Sequence, residues 1–464
     1  MIPAVMGMGH HACAHGVMPP IPTKAKSSNS QKSWKIYQTS LYEHLADFKS
    51  AAVKTSAYGG RLDRKEKATG FFHVRKIGES GPWIFIDPEG HHFYSVGVNS
   101  VNLRPEDEAA ASKAFGNVEG WAKQTRAYLF QELGFNTLGC WSDPKPFQEA
   151  GVSAPYCTQW NFMASYARSR GKTYAKYGHA GFAGDCIPVF DPQFVTFCEE
   201  QAQKLAKTKD DPWLLGHFSD NELPLQEKGI IGRYLAMPES DPGRQFAQRW
   251  LKDKGMDAAK ITAKHDAQFC ELVVGKYFGI VDAAMRKHDP NHLFLGARFH
   301  GTVLNQESVF RAAGARVDVV SVNYYHRWTP EQARLNQWAG WSGKPIIITE
   351  WYAKGADSGC DNSQGAGFTV PTQEDRGKFY QNFTIGLMRN PNVIGWHWFR
   401  YTDDAETEKS KTCNKGILTR DFKPWQPLVA RMNRLNHQAY GMREYLLTAR
   451  SGHLLDQPTE HEGN

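Results

Sequence analysis

The stretch L214-L-G-H-F-S-D-N-E222 sets the reading of this chain. Apolar residues run through it as in a strand buried on both faces, and it ends on Asp220, Asn221 and Glu222. A buried strand that breaks into polar groups at its carboxyl end is what a parallel α/β sheet presents to a ligand. Seven further segments share the pattern: 93–99, 135–141, 154–160, 294–300, 317–325, 345–351 and 393–399. The third of them, 154–160, is the weakest. Between them lie stretches of helical periodicity, among them 119–133, 193–207, 258–287 and 373–389. Eight strands alternating with helices predict an α/β fold, a (β/α)8 TIM barrel. A doubly wound open sheet is the alternative. It would call for a Gly-rich phosphate loop after the first strand, and the sequence there is GVNSVNL.

Outside these segments, Trp34, Tyr37, Leu41, Leu45 and Phe48 recur at helical spacing and predict an amphipathic N-terminal helix over 33–54. Residues 70–99 hold β-rich runs split by Gly-Ser-Gly-Pro and Asp-Pro-Glu-Gly, which predict a hairpin leading into strand 1. The expected organisation is a tail over 1–32, the helix and a linker over 33–68, a catalytic barrel over 69–445 and a C-terminal tail over 446–464.

Composition narrows the function. Of 464 residues 41% are hydrophobic and 22% charged, which excludes a mostly disordered chain. No apolar run reaches the roughly 18 residues of a membrane span. The net charge of +7 is unclustered, so neither nucleic acid nor membrane is an expected partner. Aromatics make up 12%, which suits either a large core or flat platforms for sugar faces. His10, His11, Cys13 and His15 fit no regular metal site, and no metal or cofactor is expected. Cys360 and Cys413 lie in polar loops and would pair if those loops are neighbours. The N-terminal segment has no clear signal peptide.

Polar or aromatic side chains recur at the strand ends: Asn99, Trp141, Trp160, Asn221 with Glu222, His300, Tyr324 with Tyr325, Glu350, and Trp396 with Trp398. Two carboxylates facing each other divide the work of glycosidic cleavage, one attacking the anomeric carbon while the other protonates the leaving oxygen. Glu222 and Glu350 are the candidates. Asp143, Asp220, Arg298, His326 and Arg400 are further candidates for sugar contact or for tuning the glutamates. Asp357 and Asp361 sit in a Gly-rich loop that could cover a subsite. Asp403 and Asp404 read as a solvated acidic loop, with calcium as the alternative.

The Asn-Glu pair ending strand four and the Glu ending strand seven resemble the large clan of retaining glycosidases built on (β/α)8 barrels, clan A. The segments GPWIFIDPEGHHFYSVGVNS, GFNTLGCWSD, LLGHFSDNEL, FLGARFHG and ITEWYAKGADSG are most similar to glycoside hydrolase family 50, the β-agarases. That resemblance implies Glu222 as acid/base and Glu350 as nucleophile. It implies Asn221 on the sugar 2-hydroxyl, Tyr324 or Tyr325 orienting the nucleophile, and Trp398 or Trp396 flooring the subsite of the reacting sugar. The expected partner is an agar-type galactan, and a substrate of that class suggests an extracellular or periplasmic setting. Members commonly carry a large additional N-terminal domain, for which this chain is read as having no room. The alternatives are a β-galactosidase or endo-glycanase on another β-linked polysaccharide, and a barrel that only binds carbohydrate.

Overall fold

The computed structural model describes residues 19–27, 33–45, 48–49, 51–176, 179–407 and 411–448. His10, His11, Cys13 and His15 lie outside them, as does most of the expected C-terminal tail.

Eight strands form one parallel sheet: β1 (Ser95–Val98), β2 (Thr137–Leu138), β3 (Tyr156–Gln159), β4 (Leu214–Phe218), β5 (Leu293–Phe294), β6 (Val320–Asn323), β7 (Ile346–Glu350) and β8 (Val393–Trp398). Their order across the sheet is β5-β4-β3-β2-β1-β8-β7-β6. β4, β6, β7 and β8 are buried along their whole length, as apolar strands covered on both faces must be. The helix Ala263–His288, with 26 residues, leads from β4 towards β5, and Gln373–Met388 leads from β7 towards β8.

The expectation of a single clean TIM barrel is overturned. The strand ladder is open between β5 and β6, where an isolated bridge joins Phe299 to Val322 and Phe294 O accepts from the N–H groups of Asp318 and Val319 without a continuous ladder. Among the described residues four further sheets accompany it: Ile21–Ala25 with Lys35–Thr39, Thr173–Lys176 with His179–Phe182, Ala353–Gly355 with Phe368–Val370, and a four-stranded sheet. The physical reason lies in β5, whose ladder stops after Phe294, two residues before Gly296 takes a φ of 82°.

The expected N-terminal helix is also absent among the described residues of 33–54. Lys35–Thr39 is a strand paired with Ile21–Ala25, followed by one tight turn at Tyr42–His44. Tertiary contacts override the helical spacing. Tyr37 stacks on Trp328 with ring centres 5.1 Å apart, and the Trp328 indole N–H donates to Thr39 Oγ1 at 3.0 Å. The predicted hairpin is larger than expected, a four-stranded antiparallel sheet ordered Arg61–Lys65, His91–Phe93, Trp83–Ile86, His73–Lys76. Its Phe85 and Phe93, with Phe72, pack against Leu215, Leu293, Val319, Ile347 and Ile394, one from each of β4, β5, β7 and β8 and one from just before β6. These aromatics and aliphatics form a second core, separate from the one under the helices.

Candidate active site

Two register slips decide which side chains meet beyond the strand ends. In β7, Ile347 belongs to the inner core while Ile346 and Ile348 belong to the outer one. Strict alternation would turn Glu350 outward with Ile348. The pairing with β6 skips Thr349, matching Ile348 to Val322 and then Glu350 to Asn323, so Glu350 faces inward. In β8 the same device works in reverse. Pairing jumps from Val393 to Gly395, so Ile394 points inward but Trp396 and Trp398 pack in the outer core.

Glu350 is gripped at both oxygens. Arg298 Nη2 donates to Oε2 at 2.7 Å and the Tyr325 hydroxyl donates to Oε1 at 2.7 Å. Arg298 is wholly buried and also donates through Nη1 to Asn221 Oδ1 at 2.9 Å. Its guanidinium lies 4.1 Å from the Trp141 ring centre. Beneath it, Cys140 Sγ accepts from Nη1 at 3.3 Å and donates to Gln159 Oε1 at 3.1 Å. Glu222 is gripped as firmly. Asn323 Nδ2 donates to its Oε1 at 2.8 Å, and His179 Nδ1 lies 3.0 Å from its Oε2. Asn323 also reaches Asn221 Oδ1 at 3.2 Å. A continuous hydrogen-bonded path therefore runs Glu222–Asn323–Asn221–Arg298–Glu350. Each glutamate side chain keeps 11% exposure, enough to touch a ligand amid buried neighbours.

The two carboxyls influence each other. For Glu222, burial alone would raise the pKa. The His179 hydrogen bond, the nearby His300 and the Asn323 amide outweigh burial and hold it at about 2. For Glu350, burial is the largest effect, opposed by Arg298. The charge on Glu222 adds to burial, and the net direction is upward. A shared proton in this arrangement therefore favours Glu350.

Backbone strain collects on the same rim. Ser100, Trp141, Asn161, Glu222, Arg298 and His326, lying beyond β1 to β6 respectively, all have φ between 51° and 61°. Non-glycine residues rarely adopt that conformation, and such outliers cluster at functional sites.

The remaining candidates divide. Asn99 is buried at the end of β1 and donates to Thr349 O at 2.7 Å, while its buried Oδ1 has no hydrogen-bond partner. His300 packs edge-on to Tyr325, ring centres 5.5 Å apart. His326 follows Tyr325 and packs against its ring, centres 6.4 Å apart. Tyr324 turns away, donating to Glu331 at 3.2 Å and packing on Trp338. Trp396 and Trp398 are fully buried, their indole N–H groups bonded to the Tyr380 hydroxyl and Lys415 O. The structure does not bring them to the glutamates. Trp160 donates to Thr158 and His217, outside the cluster. Asp143 is exposed and accepts from the Lys145 N–H, a turn contact. Asp220 caps the helix Phe162–Ser169 by accepting from the N–H groups of Met163 and Ala164. Asp357 accepts from Gln373, and Asp361 from the Ser363 N–H. Asp403 is buried on Gly416 N–H and the Trp425 indole. Asp404 is paired with Arg104, Arg400 and Lys415. Cys360 and Cys413 are joined in a disulfide.

Two groups that contact Glu222 were not anticipated. Asn323 carries a readable signal, a lone amide ending the apolar run V-D-V-V-S-V. His179 carries none, because it comes from the hairpin inserted after β3. Among the described residues, two clusters have metal-ligating types. In the first, His217 and His292 already spend their ring nitrogens on hydrogen bonds, one from each to the Asp289 carboxylate; in the second, Cys360 and Cys413 are bonded to each other beside Glu406.

No family model matches the chain. Beta-agarase B of Vibrio sp. (strain JT0107) is 26% identical over 499 residues, covering 84% of this chain and 50% of that protein. Beta-agarase A of the same strain is 25% identical over 463 residues, covering 78% and 45%. The chain spans about half the length of these curated relatives. The crystal structure of BpGH50 superposes with a TM-score of 0.81 and 27% identity, over 96% of this chain and all of that one. The structure of an exo-beta-agarase superposes at 0.70 with 22% identity, over 86% of this chain and 69% of that one, a likeness of fold. In sequence and fold the chain is similar to the family 50 β-agarases, and these likenesses support a glycoside hydrolase.

Proposed function

We propose that this chain hydrolyses a β-linked galactan of the agar type by double displacement with retention. Glu350 attacks the anomeric carbon. Glu222 protonates the departing glycosidic oxygen, then takes a proton from the water that releases the sugar. Arg298 and Tyr325 hold the nucleophile's oxygens so that one face is aimed at the sugar. Asn221, fixed by Arg298 and Asn323, is set to meet a hydroxyl beside the reacting carbon. Trp141, under Arg298, offers the aromatic face in place of the β8 tryptophans.

The observation that carries this reading is the hydrogen-bonded path joining two partly exposed glutamates beyond β4 and β7. The agar-type substrate rests on the similarity to the two Vibrio agarases. The test is incubation with agarose, porphyran, carrageenan, β-mannan and β-glucan, with products resolved by size and anomer. Products from agarose that keep the β-configuration, and their loss in Glu350→Gln, are expected. Inverted products would remove the double displacement. Products only from another glycan would keep the chemistry and change the substrate.

A further inference from the structure

Both oxygens of Glu222 are occupied, Oε1 by Asn323 and Oε2 by His179. A carboxyl that is to give its proton to a glycosidic oxygen needs one oxygen free of competing donors. Asn323 is buried at the end of β6, itself held by Thr349 Oγ1 at 3.0 Å, and it cannot withdraw without breaking that network. His179 differs. It arrives on a two-stranded hairpin, Thr173–Lys176 with His179–Phe182, that among the described residues pairs with no other sheet, and its side chain is 21% exposed. The oxygen it covers is therefore the one a leaving group must reach.

We propose that His179 is a positioning residue that occupies Glu222 Oε2 in the free protein and yields it to the leaving-group oxygen when substrate binds. The idea rests on the hydrolase reading above and adds to it the control of the acid. Displacing His179 removes a donor that favours the carboxylate. Burial then dominates, and Glu222 takes up the proton it must deliver. Without that exchange the contacts keep the proton on the wrong partner, Glu350. The bond changes are simple. The Glu222 O–H bond breaks, the proton goes to the glycosidic oxygen, and the C–O electron pair leaves with that oxygen. Other groups face Glu222 from every side and stay in place: His300 and Arg298 beyond β5, Asn323 and Tyr325 at and after β6, and Glu350 on β7.

The kinetic signature is specific. The pH profile of kcat/KM reports groups in the free enzyme, and that of kcat reports groups in the complex. In His179→Ala the acidic limb of kcat/KM, which reports Glu222 while the free protein keeps the shared proton on Glu350, should move up by one pH unit or more, while the limbs of kcat stay where they are in the unsubstituted protein. His179→Gln, which keeps a donor without an imidazole, should shift the kcat/KM limb by less. Circular dichroism at each pH checks that the variants are folded. An unmoved kcat/KM limb in an active His179→Ala variant overturns the proposal, as does an equal shift in the acidic limb of kcat. The unsubstituted protein serves as the control for the underlying reading. If it turns over none of the five glycans and no aryl glycoside, the hydrolase reading fails and takes this proposal with it.

Discussion

Arg298 donates to Glu350 at 2.7 Å from a site with no exposure of its own. A buried carboxylate in this position depends on that cation, because one partner left alone in a low dielectric is penalised heavily. Arg298→Met should lower stability by about 3–5 kcal/mol. Arg298→Lys keeps the charge but cannot serve Asn221 and Glu350 together. Its kcat/KM should fall by about 10²-fold or more, read on whichever glycan the unsubstituted protein cleaves. Activity within threefold of the unsubstituted protein would show that Arg298 does not organise the pair.

The adjacent tyrosines make an internal comparison. Tyr325→Phe removes the hydroxyl from Glu350 Oε1 and should lower kcat by about 10–100-fold, with only about 1–2 kcal/mol lost in stability. Tyr324→Phe removes a contact to Glu331 and should leave kcat within about twofold. Steady-state rates and urea melts on both variants distinguish them. Equal losses in kcat would remove Tyr325 from its assigned place.

Acid sensitivity follows from a buried histidine. Burial, with Arg298 adding, pushes His397 down to about 3, so it is neutral in the fold. The unfolded chain takes up this proton below about 6.5 and the native state does not, so stability falls as pH drops from about 6.5 towards 3. Asp220 and Asp403 oppose it. Burial holds both at about 6, so the native state binds their protons first as pH falls towards 4. The test is therefore a difference. In His397→Gln the loss of stability between pH 7 and pH 4 should be smaller than in the unsubstituted protein, by a few kcal/mol at most. Identical slopes in denaturant titrations would refute the assignment.

The Cys360–Cys413 bond spans 53 residues, and it ties the loop after β7 to the one after β8. Constraint of the unfolded chain by a loop of that size is worth about 4 kcal/mol. Cys360→Ser should lower Tm by several degrees and increase proteolysis within 355–366. An unchanged Tm would mean that the loops hold together without the bond.

Much of the candidate site was legible as a pattern because burial makes polar residues conspicuous. Asn221, Glu222 and Glu350 stand out at the ends of apolar runs that could not otherwise tolerate them. The tryptophans of β8 lie away from the glutamates for a physical reason. Alternation from Ile394 points Trp396 and Trp398 inward, and the slip at Gly395 reverses this with no mark in the sequence except the glycine itself. Tyr324 and Tyr325 could not be separated by composition, since either could cap the strand. The N-terminal segment failed because its apolar spacing satisfies a helix, while its docking on Trp328 is a long-range contact. His179 was invisible for the same reason, since nothing local to 173–182 refers to Glu222. The closed barrel was an inference from the number of strands, and a count says nothing about whether the two edges join.

The skipped residue in β7 makes the chemistry a matter of parity. Substitutions along 346–350 alter packing by degrees, but losing one residue there would rotate the carboxylate to the opposite face of the sheet in a single step. Divergence in this strand is therefore expected to proceed by exchange of side chains at constant length, with insertions and deletions confined to the loops.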